Sequence, residues 1–273
     1  MTSSTTTSTQ FTTSADGTKI AYEKRGSGPA LVLVDGALCQ RSMGPSRGLA
    51  DELAGSFTVY AYDRRGRGES GAGASPYALD REVEDLGAVI DAASGHAHVL
   101  GVSSGLALAL EAARKGAPIG RIAGYEAPFI VDDTHPANDP RLPERMQELV
   151  DDDRRGDAVK LFMRTVGVPA PFLVMMRLMP AWKKLVGVAH TLPYDMSIVI
   201  EHEQGRPLPE GYYARVTSPT LVMAGGKSPE YMRNAQGAIA EAVPQGRLAT
   251  LAGQTHMVKP KVVAPVVARF LRG

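Results

Sequence analysis

Hydrophobic and polar residues follow two rhythms along this chain. Ala30–Val34, ALVLV, is an unbroken apolar run between Gly26-Ser27-Gly28-Pro29 and Asp35-Gly36-Ala37, which predicts a strand buried on both faces. Comparable short runs at 57–63, 98–102, 121–125, 220–224 and 247–251 predict further strands. Between them, apolar residues recur at helical spacing. Val83, Leu86, Val89 and Ile90 form one stripe within 81–93, an alanine- and leucine-rich segment follows Ser104, and an amphipathic pattern closes the chain at 262–271. Residues 11–24 hold two short alternating segments around Ala15-Asp16-Gly17-Thr18, and Asp-Gly between such segments signals a hairpin. Strands alternating with helices predict an α/β protein with a mostly parallel central sheet flanked by helices.

The alternation stops at about Asp132 and resumes after Arg215. That stretch is punctuated by prolines, carries several helical patterns and contains six of the eleven methionines, so it is expected to be a helical cap inserted between strands. The expected organisation is a flexible tail at 1–10, a core at 11–131 and 216–273, and a cap at 132–215. No internal repeat is visible.

Composition narrows the partners. At 273 residues and 44% hydrophobic, the chain suffices for one sizeable buried interior. Its 30 basic and 29 acidic residues, net +1, are spread along the sequence and point away from nucleic acid or an anionic membrane and toward a small, uncharged molecule. The single cysteine, Cys39, excludes an internal disulfide and a cysteine metal site. The Ser/Thr-rich start has neither a basic region nor an apolar run, and no segment is apolar enough to span a bilayer, so a soluble cytoplasmic protein is expected. Oligomeric state is left open.

The chemistry centres on residues 98–110, HVLGVSSGLALAL. Here a strand meets Gly101-Val102-Ser103-Ser104-Gly105 and passes into a helix, the context that makes G-x-S-x-G a nucleophile elbow rather than an ordinary turn. Small residues around Ser103 let strand and helix approach, and the Ser104 amide stands at a helix N-terminus suited to developing negative charge. Ser104 is the weaker nucleophile candidate because it lacks the glycine two residues before it. The loop Arg64-Arg65-Gly66-Arg67-Gly68-Glu69-Ser70 is glycine-spaced and basic. It lacks the Gly-Lys-Ser/Thr ending of a phosphate cradle and reads as structural.

Taken together, VDGA at 34–37, YDRRGRGES at 62–70, the GVSSG elbow, SPTLVMAGG at 218–226 and GQTH at 253–256 resemble the α/β-hydrolase fold over nearly the whole chain. The resemblance implies a serine hydrolase without cofactor or metal. Ser103 is then the nucleophile, and His256, on the loop after the last strand, is its base. Most relatives carry an aspartate in the turn after the penultimate strand, where this chain reads Gly225-Gly226-Lys227-Ser228. Serine cannot hold the imidazole tautomer as a carboxylate does, so the acid must come from elsewhere. Glu126, closing the strand after the elbow helix, is the leading candidate, with Glu230, Asp132 and Asp133 as rivals. Some haloalkane dehalogenases and the zearalenone-type lactonases place their acid at this equivalent position. The lactonases are the more similar, sharing Val34-Asp35-Gly36 and the doubled serine. A serine nucleophile argues against dehalogenase or epoxide-hydrolase chemistry, which uses aspartate in this fold.

The oxyanion donors are expected to be the backbone amides of Ser104 and of Gly36 or Ala37. Met163, Met175, Met179, Trp182 and Tyr194 in the cap are candidates for an adaptable apolar substrate site, their alternative role being the cap's own core. The implied activity is cleavage of an ester or lactone of an apolar small molecule. A lyase or cyclase working in the same pocket, or a ligand-binding protein with little turnover, are the other classes compatible with the missing aspartate.

Overall fold

Along Ala30–Val34 the side chains part by alternation: Leu31 and Leu33 enter one apolar core, Val32 and Val34 the other. A computed structural model describes residues 8–273, and this division runs through its single sheet. The strands are β1 (Gln10–Thr13), β2 (Lys19–Arg25), β3 (Ala30–Val34), β4 (Thr58–Tyr62), β5 (Ala97–Val102), β6 (Ile119–Tyr125), β7 (Thr220–Gly225) and β8 (Gly246–Leu251), in the spatial order β1-β2-β4-β3-β5-β6-β7-β8. β1, β2 and β4 pair antiparallel, and every pair from β4 to β8 is parallel.

The helices are α1 (Ser46–Leu53), α2 (Leu79–Ala92), α3 (Ser104–Arg114), α4 (Leu142–Asp151), α5 (Arg155–Thr165), α6 (Ala170–Arg177), α7 (Ala181–Val188), α8 (Leu192–Val199), α9 (Glu230–Ala242) and α10 (Pro260–Arg272). α1 and α10 cover the smaller core through Leu49, Leu53, Val263 and Val267. α2, α3 and α9 cover the larger one, with Leu86, Val89, Leu106, Leu110 and Ile239 buried. The segment between β6 and β7 holds α4 to α8 and adds Met146, Val159, Leu192 and Met196 to that larger core. None of the helices among the described residues is long and apolar enough to cross a membrane.

Strand order fixes the position of the site. From β3 the chain moves to β4 on one side and, later, to β5 on the other, so the loops after β3 and β5 leave the sheet's carboxyl edge side by side. Such a switch point is where open α/β sheets bind ligands. Of the expected tail, residues 1–7 lie outside the described residues, but Gln10 already pairs with Tyr22 in β1. β-Branched threonines suit the edge strand that Gln10 begins, and Thr12 also bonds the Ala88 carbonyl of α2, so the sheet starts at the last residue of that expected tail.

Candidate active site

At the end of β5 the backbone turns sharply: Ser103 has φ 56° and ψ −127°, a conformation that an L-residue holds only under constraint. Its N–H is tied to the Tyr125 carbonyl (2.8 Å) and its carbonyl accepts the Leu106 N–H (2.9 Å). Glycine is required on the strand side, because a Cβ at Gly101 would sit 2.6 Å from the Gly105 carbonyl and the Leu106 Cα. Ser103 is half-buried, and its Oγ has no hydrogen-bond partner among the described residues. The loop after β3 closes on it. A Cβ at Gly36 would lie 2.8 Å from the Ser103 Cβ and 3.4 Å from its Oγ, so only glycine lets this backbone reach the serine. The N–H groups of Gly36, Ala37 and Ser104 bond no protein acceptor among the described residues.

Glu126 follows β6 with φ 48° and is fully buried. Its Oε2 lies 2.9 Å from His256 Nδ1, and its Oε1 accepts the Gly225 N–H at 2.6 Å. One carboxylate therefore spans from the histidine loop to the turn after β7. The neighbouring Tyr125 donates its hydroxyl to the Thr255 carbonyl (2.6 Å), tying the histidine loop to the same strand end. The His256 side chain is 41% exposed, and its Nε2 has no hydrogen-bond partner among the described residues. Ser228 is buried and its Oγ is unpaired. Of the rival acids, Asp132 accepts from Thr134 and Asn234, Asp133 is exposed, and Glu230 is exposed in the first turn of α9; none bonds His256.

The cap candidates divide. Met163 and Trp182 are partly buried against the larger core, and Tyr194 stacks on Tyr77 with ring centroids 4.2 Å apart. Met175 and Met179 are 53% and 50% exposed, beside the exposed Phe172, Val174 and Leu178. Two concavities of about 500 Å³ lie elsewhere, one against α4 and α8 and one at the start of α10, and neither includes Ser103, Glu126 or His256. Burial pushes the Cys39 thiol up to about 12, which leaves the sole cysteine without thiolate character.

Sequence reasoning missed one buried network. Arg64 and Arg67, from the basic loop, meet Asp195 of α8 at 2.7 and 2.5 Å, and Arg64 pairs Glu82 of α2 in bidentate fashion through its Nε and Nη2. Arg65 pairs Asp85 and Asp16. The loop's three arginines are thus engaged internally, and the only sequence signal for it was the basic loop itself.

The sequence pattern of the alpha/beta hydrolase family matches residues 38–266, and the chain belongs to that family. An alpha/beta hydrolase from Sphaerobacter thermophilus is 46% identical, with 96% of this chain and 100% of that one covered at a TM-score of 0.87. An enol-lactonase from Burkholderia xenovorans (20% identity, 97% and 100% covered, TM-score 0.70) and an esterase from Exiguobacterium antarcticum (20%, 97% and 99%, 0.72) share the fold. A search of curated proteins finds no match.

Proposed function

We propose that the protein is a serine hydrolase that cleaves an ester or lactone of an apolar small molecule through an acyl-enzyme. The observation that carries this reading is the Glu126–His256 pair, 2.9 Å apart, on the sheet edge that also carries the strained Ser103. Ser103 Oγ attacks the substrate carbonyl as His256 Nε2 takes its proton, through a hydrogen bond that is not made in the free structure and forms when substrate binds. The oxyanion is held by the Ser104 amide and by that of Gly36 or Ala37. His256 then protonates the departing alkoxide, which in a lactone stays attached to the acyl chain. Water, deprotonated by His256, attacks the ester carbonyl of the acyl-enzyme and releases Ser103. Throughout, Glu126 fixes the imidazole with hydrogen on Nδ1 and balances its charge once protonated. The chemistry needs no metal or cofactor.

An apolar substrate is supported by the solvent-facing Phe172 and Met175 of α6 and Leu178 and Met179 of the turn that follows it. A lactone is further supported by the glutamate's position after β6, as in the zearalenone-type lactonases.

Mass spectrometry after a fluorophosphonate tests the nucleophile: the label is expected on Ser103. A label on Ser104, or on no serine, contradicts the proposal. A chromogenic ester should give a burst of about one product per active site if deacylation is slower than acylation. A protein that only binds ligand, or a lyase, gives neither label nor burst.

A further inference from the structure

Ser104 stands immediately after the serine of the elbow, and its side chain is as constrained as its backbone. Its Oγ donates to Asp195 Oδ1 at 2.7 Å, a contact that reaches from the elbow helix α3 to α8 of the inserted segment. The same carboxylate binds Arg64 Nη1 and Arg67 Nη2, with all three charged side chains at most 2% exposed. The two guanidinium groups then extend to the loop after β3. Arg67 Nη1 donates to the carbonyls of Gly36 (2.7 Å) and Cys39 (3.1 Å), and Arg64 Nη1 to that of Asp35 (3.2 Å).

Those carbonyls matter because a peptide unit is planar and trans. The Asp35 carbonyl and the Gly36 N–H belong to one rigid plane and point in opposite directions, as do the Gly36 carbonyl and the Ala37 N–H. Holding the two carbonyls therefore fixes the orientation of both candidate oxyanion amides, on a loop whose Gly36 lies against Ser103, and a cation on each carbonyl polarises its N–H further. Asp195 neutralises the arginines that do this and also anchors Ser104, whose amide is the remaining donor. Asp195 is the one carboxylate that bonds Arg67 among the described residues; without it that buried guanidinium keeps only the Thr191 hydroxyl and backbone carbonyls, with the unbonded Asp35 carboxyl nearby, a poorly compensated charge that a dry interior resists.

We infer that Asp195 is a positioning residue for the oxyanion hole, acting through Arg64, Arg67 and the Ser104 hydroxyl, so that the inserted segment supports the transition state through α8. The inference rests on the serine-hydrolase reading above. It predicts selective damage: the network touches no substrate atom, so ground-state binding survives while charge stabilisation in the tetrahedral state suffers.

The test is Asp195→Asn, which keeps the side chain's shape and removes its charge. Removal of one oxyanion donor costs about 10²–10³ in kcat, and misaimed donors should cost about 10–100-fold, with KM within about threefold of the parent. A trifluoromethyl ketone, which forms a tetrahedral adduct on serine, should lose affinity by the same factor as kcat. The end-point of fluorophosphonate labelling should stay at one per chain, because the folded fraction is not what changes. Should Asp195→Asn fail to fold, Ser104→Ala cuts only the link to the elbow, and parallel losses of about 3–10-fold in kcat and ketone affinity are expected. Unchanged kcat and ketone affinity in the variant that folds overturn the inference, as does a loss matched by a lower labelling end-point alone. Ser103→Ala, run beside it, separates the two levels: if it remains active, the hydrolase reading itself fails.

Discussion

At Ser228, where the α/β-hydrolase resemblance leads one to expect an aspartate, the side chain has no visible task. It is 2% exposed and its Oγ is unpaired, whereas Glu126 takes the hydrogen bond of Gly225 three residues earlier. A buried hydroxyl without a partner is destabilising, and its removal leaves only the small void of one oxygen atom. Ser228→Ala is therefore expected to be neutral or to raise stability by up to about 1 kcal/mol, with kcat unchanged. Chemical denaturation and steady-state kinetics check this, and a hundredfold loss of kcat would place Ser228 in the chemistry after all. Glu203 makes the opposite point about buried polar groups. It lies after α8 with Asn138 donating to it, and burial holds its carboxyl up at about 7. An acid whose folded pKa is raised weakens the fold as pH climbs from its unfolded value, near 4.5, through 7. Glu203→Gln should then be more stable than the parent above pH 7, by up to about 3 kcal/mol, with the advantage gone by pH 4. Equal pH profiles of denaturation midpoint for the two proteins would rule this out.

Among the elements, those with a strong period were legible and those without were not. The apolar runs of β3 and β5 and the stripe of α2 are unambiguous, because burial on two faces or one leaves a regular trace. α1 is only eight residues long, contains Gly48 and has no side-chain cap, so its three leucine and alanine contacts do not form a visible pattern. α9 buries Met232, Ala235, Gln236, Ile239 and Ala240, a face on which two alanines and the polar Gln236, held by the backbone of Ala127, leave only two large apolar side chains. Hydrophobicity alone does not mark such a face. The inserted helices show the limit for function: a methionine-rich composition suggests an apolar surface without saying which residues are free. Met163 and Trp182 contribute to packing, while Met175 and Met179 are exposed. If the exposed pair receives substrate, Met175→Ser with Met179→Ser should lower kcat/KM for bulky apolar esters by about tenfold and leave short acetates unaffected. Equal effects on both substrate types would assign the pair to packing or solubility.

For the molecule as a whole, charge organisation was the least legible feature. A net charge of +1 suggests an electrically plain protein, yet Arg64, Arg67, Glu82 and Asp195 are all buried in one network linking the sheet edge, α2 and α8. Asp195 is 91 residues from Ser104 in sequence, and nothing in its neighbourhood marks it, because ion pairs across a tertiary contact have no period. The Ser103, Glu126 and His256 positions were readable for the converse reason: each follows a strand that is itself readable, and parallel strands deliver their following loops to one edge. The serine-hydrolase proposal depends above all on Glu126 acting as the carboxylate for His256, a role that Ser228 cannot fill. Replacing Glu126 by glutamine preserves shape and removes charge, which in a serine triad costs about 10⁴ in kcat through the wrong histidine tautomer. Steady-state hydrolysis of an activated ester by Glu126→Gln, with circular dichroism to verify folding, is the most direct measurement. A loss of that order with the fold intact is the predicted result, and a folded variant that loses less than about tenfold contradicts the assignment.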